Sequence, residues 1–229
     1  MDRKFKFGVL LSGCGVYDGA EIHEAVSVLL ALDKMGIEAV CIAPDVEQHH
    51  VINHLTGEEM PEKRNVLVEA ARIARGAITE ISKVNVDELD ALVMPGGFGV
   101  AKNFTKWAFE GPKGAILESV KNLIQAFYKA KKPIGAVCMS PTTVAKALEG
   151  MANVQLTIGN TIEKSPYDIK AISEGINATG NVAVMASVND VFVDTANKIV
   201  TSPCYMMEAT ISQIYAGAEK TIEKLKEMI

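Results

Sequence analysis

Of the four cysteines in this 229-residue chain, Cys138 stands where sulfur could act as a nucleophile. It lies in the run KPIGAVCMSP at 132–141. Pro133 can open a strand, and the small apolar residues 134–137 suit a central strand covered on both faces. From Pro141 onward the pattern is helical, with Val144, Ala145 and Leu148 at helical spacing. A side chain on so sharp a strand-to-helix turn is lifted out of the sheet. The first N–H groups of the new helix surround it, and the helix dipole there favours a thiolate. That is the mechanics of a nucleophile elbow with sulfur in place of oxygen. A cysteine taken at random is more often core filling; the small neighbours Gly135, Ala136 and Ser140 favour the reactive reading.

Other residues could complete such a site. Gly96 and Gly97 follow an apolar strand over 90–94 and leave backbone N–H groups unobstructed. The Gly97 N–H and the Met139 N–H are the candidates to hold a developing oxyanion, with Gly96 at the same turn. Glu21 and Glu24 both fall at the start of a helix, where acidic residues are common for dipole reasons alone. Buried against the sulfur, either would have its pKa raised by desolvation and could move a proton; their spacing does not choose between them. His49, His50 and His54 invite a metal reading, but no acidic or cysteine ligand completes a set, so no metal is expected. The glycines of residues 13–19 do not have the spacing of a dinucleotide fingerprint. Cys14 is expected near the pocket, packed rather than reactive.

These groups need a scaffold, and the periodicity supplies one. Strands are expected over 5–11, 38–43, 90–94, 134–137 and 154–158, with a hairpin at 191–193 and 199–201. Helices are expected over 21–34, 65–75, 114–131, from 141 to about 150, and 205–229; residues 44–64 read as irregular. Alternation of this kind predicts an α/β fold, a doubly wound parallel sheet with helices on both faces. With 48% hydrophobic residues, the chain can form one sizeable core, so residues 1–229 are expected to be a single domain. Ligands of such sheets sit beyond the carboxyl ends of the strands. Residues 12–19, the 96–97 glycines and Cys138 should therefore meet.

A formal charge of −5 with no basic cluster argues against nucleic acid as the main partner. No apolar run approaches membrane-spanning length. Scattered cysteines without a CxxC pair, and an N-terminus without a signal-like apolar core, give the expectation of a cytoplasmic location.

Three motifs, GAEIHE (19–24), LVMPGGFG (92–99) and IGAVCMSPT (134–142), resemble in order and spacing the PfpI-like superfamily. That group includes the parkinsonism-associated deglycase and intracellular proteases, and is related to class I glutamine amidotransferases. More closely, LSGCGVYDG (11–19), VINHLTGE (51–58), RNVLVEAAR (64–72) and NKIVT (197–201) look like its ElbB-type branch, named for isoprenoid production and carrying an amidotransferase-like domain. The resemblance runs nearly end to end. It implies a flavodoxin-like, class I glutamine amidotransferase-like fold with Cys138 at the elbow, Glu24 rather than Glu21 as the acid on the sulfur, and Gly97 and Met139 at the oxyanion positions. It further implies a homodimer and a cofactor-free glyoxalase activity on small aldehydes, turning glyoxal into glycolate. One departure is plain: no histidine follows His54, and Gly159 stands where the triad histidine of an amidotransferase would. That argues against glutamine hydrolysis and proteolysis unless His23 or His54 is brought close, or a partner completes a glutaminase-like subunit. It also makes a second class of function credible, a non-enzymatic redox-responsive or regulatory protein in which Cys138 is an oxidisable low-pKa thiol.

Overall fold

The computed structural model describes residues 4–229. In chain order the elements are β1 (Lys6–Leu10), α1 (Ile22–Lys34), β2 (Glu38–Ala43), α2 (Val66–Ile73), β3 (Ile78–Glu80), β4 (Ala91–Met94), α3 (Trp107–Glu110), α4 (Glu118–Lys129), β5 (Ile134–Val137), α5 (Ser140–Leu148), β6 (Gln155–Leu156), α6 (Ile169–Ala178), β7 (Val182–Ala183), β8 (Phe192–Asp194), β9 (Ile199–Ser202) and α7 (Ile211–Lys226). Seven strands form one sheet in the order β3-β2-β1-β4-β5-β9-β8. All neighbours are parallel except the edge pair β8–β9. The expected doubly wound α/β arrangement is present, with one antiparallel edge strand.

Side chains alternate between the two faces, as the pleat requires. Phe7 and Val9 of β1 join a core with Val28 and Leu32 of α1 and Ile222 and Leu225 of α7. Leu10 and the β4 residues Leu92 and Met94 join the opposite core, with Ile124 and Phe127 of α4 and Val144 and Leu148 of α5. Gly135 of β5 lets α7 approach: a Cβ there would lie 2.7 Å from Leu225 Cδ1. The helix ends are written locally. Glu21 caps α1 by accepting from the Glu24 N–H, Asn65 caps α2, and Thr210 with Gln213 forms a capping box at α7. Gly36 follows α1 in the left-handed region, at φ +69°.

The structure departs from the sequence expectations in several places. The strand expected over 154–158 is reduced to β6, which pairs with β7 outside the main sheet. The closing helix begins at Ile211 rather than near 205, because Cys204 takes φ +45° after Pro203 and residues Cys204–Met206 form a 3₁₀ turn. β3, β7, α3 and α6 were not anticipated. The two strands and α3 are too short for any period to register. α6 carried a readable signal, Ile169, Ile172 and Ile176 behind an Asp168 cap.

The strand order reverses direction at β1. The chain builds β2 and β3 on one side of it, and β4, β5 and β9 on the other. The crevice beyond the carboxyl ends of β1, β4 and β5 is thus the topological switch point of the sheet.

Candidate active site

Three strand exits converge at that crevice. The loop leaving β1 touches the loop leaving β4: the Gly99 N–H donates to Gly19 O at 2.9 Å, and the Phe98 N–H donates to Val16 O at 2.8 Å. The β4 exit is bound to the starts of α1 and α5. The Glu21 N–H donates to Gly96 O at 3.0 Å, and Ser140 Oγ donates to Pro95 O at 2.6 Å. Between them stands Cys138, directly after β5 and only 5% exposed. Its φ of +57° is a conformation that non-glycine residues avoid at roughly 1–3 kcal/mol. The turn is held by the Cys138 N–H, which donates to Ser202 O of β9 at 2.9 Å, and the first turn of α5 follows at once.

Glu24 is the acid that meets the sulfur. It is fully buried in the first turn of α1. One oxygen accepts from the Gly96 N–H at 2.9 Å and the other from the Tyr205 N–H at 3.2 Å, and the carboxyl shares a hydrogen bond with the Cys138 side chain. Glu21, three residues earlier, accepts from the Glu24 N–H at 2.7 Å and lies on the cavity wall without touching the sulfur through any hydrogen bond. Both glycines are required by close approach. A Cβ on Gly96 would come within 2.8 Å of both Cys138 Sγ and Glu24 Oε2, while one on Gly97, at φ +96°, would be driven into the Gly19 carbonyl and Glu21 N.

The electrostatics of the pair follow from burial. Desolvation, with the Glu21 charge behind it, pushes the Glu24 carboxyl up to about 8; the Cys138 side chain and the Tyr205 and Gly96 N–H groups only partly oppose this. Burial, with the Glu24 charge second, also pushes the Cys138 thiol well above its ordinary value, opposed by the Gly97 N–H. The expectation of a low-pKa thiol is therefore corrected. The N-terminus of α5 is present, but removing the sulfur from water and placing a carboxyl beside it outweigh the dipole. Of the two groups Glu24 ionises first, so below about pH 8 both hold their protons, and above it a carboxylate faces a protonated thiol.

The expected oxyanion donors divide. The Gly96 N–H is committed to Glu24, so Gly96 is not a free donor; its part is to make room. The Gly97 N–H points at Cys138 Sγ, and Met139, capping α5, has an N–H without an intrahelical acceptor. A cavity of about 60 Å³ opens beside the sulfur, walled by Val16, Glu21, Gly97, Phe98, Met139, Tyr167, Ile172, Tyr205 and Met206. Since a single water needs roughly 10–15 Å³ on the same measure, the space suits a molecule of about two or three carbons rather than a nucleotide. Nor does the glycine loop of residues 13–19 offer a phosphate cradle. Several of its amides are already engaged, Gly15 N–H with Ala20 O at 2.9 Å, Gly19 N–H with Gly15 O at 2.6 Å and Tyr17 N–H with His54 Nε2 at 3.2 Å.

No imidazole lines the cavity. Gly159 has φ +126°, and a side chain there would run into Met207 Sδ, so methionine sulfur fills the space in front of it. His23 is exposed, with Nδ1 2.9 Å from the Tyr205 hydroxyl. His54 accepts from the Tyr17 N–H at 3.2 Å and faces Asp18 at 3.8 Å, while His49 and His50 pack on Phe109. Among the described residues no three His, Cys, Asp or Glu side chains converge as a metal site. Cys14 is half-buried, its thiol raised chiefly by burial, and is not part of the cavity. Sequence reasoning missed Tyr167, Phe98 and the Cys204–Tyr205 turn. Tyr167 carried no signal of its own: half-buried just before α6, it lines the cavity, and its phenol is raised to about 12 chiefly by desolvation. The turn had one, since Pro203 directly follows β9 and marks a fourth strand exit.

Known proteins resemble this chain over nearly its whole length. The rat "ES1 protein homolog, mitochondrial" is 40% identical over 97% of this chain and 84% of its own length. The human "Glutamine amidotransferase-like class 1 domain-containing protein 3, mitochondrial" is 40% identical over 97% of this chain and 83% of its own. An isoprenoid biosynthesis protein with amidotransferase-like domain from Ehrlichia chaffeensis, solved as a crystal structure, superposes with a TM-score of 0.89 at 39% identity, covering 98% of this chain and 99% of that one. The names of the rat and human relatives overturn the cytoplasmic expectation. Its physical basis was too weak to stand against them, because unpaired thiols report a reducing environment and not which compartment supplies it. The model of the DJ-1/PfpI family matches residues 14–209, a span holding the cysteine elbow, its acid and both glycines. This chain belongs to the DJ-1/PfpI family.

Proposed function

We propose that the protein is a cofactor-independent glyoxalase acting on small aldehydes, converting glyoxal to glycolate through Cys138 and Glu24. The observation that carries the reading is the Glu24 carboxyl: fully buried, hydrogen-bonded with the Cys138 side chain and raised to about 8. An acid–base so placed can take and return protons near neutral pH. Ionised Glu24 takes the thiol proton as sulfur bonds to one aldehyde carbon. The oxyanion that forms lies toward the Gly97 and Met139 N–H groups and receives that proton, giving a hemithioacetal. Glu24 then removes the hydrogen of this carbon and delivers a proton to the neighbouring carbonyl carbon through an enediol. One carbon is oxidised to a thioester and the other reduced to a hydroxymethyl group, so no outside oxidant is needed. Water cleaves the thioester, releasing glycolate and restoring the thiol.

The cavity of about 60 Å³ fits a substrate of this size, and the absence of an imidazole at its wall disfavours glutamine hydrolysis and proteolysis. The redox-responsive reading asks for a thiolate at rest, whereas burial favours the protonated thiol. Replacement of Cys138 by Ala, or of Glu24 by Gln, is expected to abolish glycolate formation measured by NMR with glyoxal. Turnover surviving in both variants overturns the mechanism. We also propose a homodimer. α1 exposes Ile22, Val26 and Leu30 one turn apart, beside Ile211 of α7, and Leu30→Glu is expected to give monomers in analytical ultracentrifugation; a monomeric wild type refutes it.

A further inference from the structure

Next to the Cys138 cavity lies a second concavity of about 190 Å³, walled by Tyr17, Ile52, Gly57, Phe98 and Lys102. Phe98 belongs to both. Its ring meets Tyr167 edge-on at 5.9 Å between centroids, and Lys102 Nζ lies 5.4 Å from its own centroid. The Lys102 ammonium is half-buried and donates one of its three N–H groups to Tyr17 O at 2.8 Å. Among the described residues no carboxylate forms an ion pair with it. Two carboxylates, Asp18 and Glu59, act on it from beyond ion-pair range; Asp18 is engaged elsewhere, accepting from the Ile52 N–H at 2.7 Å and facing His54 at 3.8 Å. Among the described residues, the wall of the Cys138 cavity, by contrast, has no cationic side chain.

A partly desolvated cation with two donors unfilled, at a hollow sharing a wall with a reactive sulfur, calls for an anion. We propose that this concavity is an anion subsite, and that the molecules turned over at Cys138 include short aldehyde acids. The carbonyl enters beside the sulfur and a carboxylate reaches the Lys102 ammonium across Phe98. This substrate class rests on the carbonyl chemistry proposed for Cys138, but the subsite itself does not require turnover. It also gives a role to the loop leaving β1, whose Tyr17 and Asp18 the catalytic reading leaves unused.

The test uses paired alkylating agents of nearly one shape, iodoacetate and iodoacetamide. Each loses iodide as Cys138 sulfur bonds to its methylene carbon, and intact-mass spectrometry with peptide mapping gives the rate at Cys138. The iodoacetate-to-iodoacetamide rate ratio is expected to fall on the order of tenfold in Lys102→Gln, to be retained in Lys102→Arg, and to be untouched by Lys106→Gln. A ratio equal within twofold in wild type and Lys102→Gln, or lowered as much by Lys106→Gln, overturns the proposal. If the buried thiol reacts with neither reagent, calorimetric titration with succinate decides. Binding weakened about tenfold in Lys102→Gln supports the subsite; no binding by the wild type, or equal binding by both, overturns it. A falling ratio in a protein that leaves glyoxal unchanged would retain the subsite and remove the glyoxalase reading. Glyoxal turnover with an unmoved ratio would do the reverse.

Discussion

Replacing Glu24 by Gln is expected to invert the order of stability between variant and wild type as pH rises. In the folded protein the carboxyl is displaced from the ordinary 4.5 to about 8. Below pH 4.5 both folded and unfolded chains hold the proton, and the group contributes no pH dependence. Between 4.5 and 8 the unfolded chain has released it and the folded chain keeps it, so stability falls with rising pH. At about 1.4 kcal/mol for each tenfold change, the loss is complete above pH 8 and amounts to about 5 kcal/mol. Gln carries no proton to lose. It does present an NH₂ group where one Glu24 oxygen accepts from Gly96 or Tyr205, at a cost of roughly 1–3 kcal/mol. Glu24→Gln should therefore be less stable than wild type by about 1–3 kcal/mol at pH 4.5, and more stable by about 2–4 kcal/mol at pH 8.5. Urea unfolding of both proteins across this range measures the difference directly, and titrating groups not coupled to Glu24 cancel in it. Two parallel curves would mean that the Glu24 pKa is not raised, and the acid–base role built on it would fall too.

Two further outcomes follow from the same geometry. If ionised Glu24 is the form that takes the thiol proton, kcat/KM for glyoxal should rise with pH through an apparent pKa near 8; a flat profile from pH 6 to 9 would rule that out. Gly159→His should lose about 2–5 kcal/mol in urea unfolding and gain no glutaminase activity, because its φ of +126° and Met207 Sδ both oppose a side chain. Stability within about 1 kcal/mol of wild type would show that the position can accept the missing histidine.

Much of the architecture was legible because it repeats. The apolar runs at 7–11, 91–94 and 134–137 announced central strands, and the stripes on α1 and α7 announced helices packed on one face. Apart from α6, whose ten residues carried a readable stripe, what escaped was short or aperiodic. β3 has three residues and β7 two, and the kink at Cys204 cuts off the expected start of α7 through a backbone angle rather than a change in composition. At the site, the elbow at Cys138 could be read from strand, cysteine and helix in succession. The partners of its sulfur could not be read from local spacing, since Glu24 lies 114 positions earlier.

Residue order alone determined the strand–turn–helix unit that places a thiol at the end of β5, the glycine pair after β4 and an acid in the first turn of α1, because each is a property of a few consecutive residues. Only the tertiary structure decided which acid meets the sulfur and that the thiol is raised rather than lowered. It also decided that the Gly96 N–H serves the carboxylate instead of a substrate. These outcomes depend on packing: seven paired strands and two helical layers exclude water from the crevice, and desolvation of a shared proton cannot be deduced until the groups around it are known.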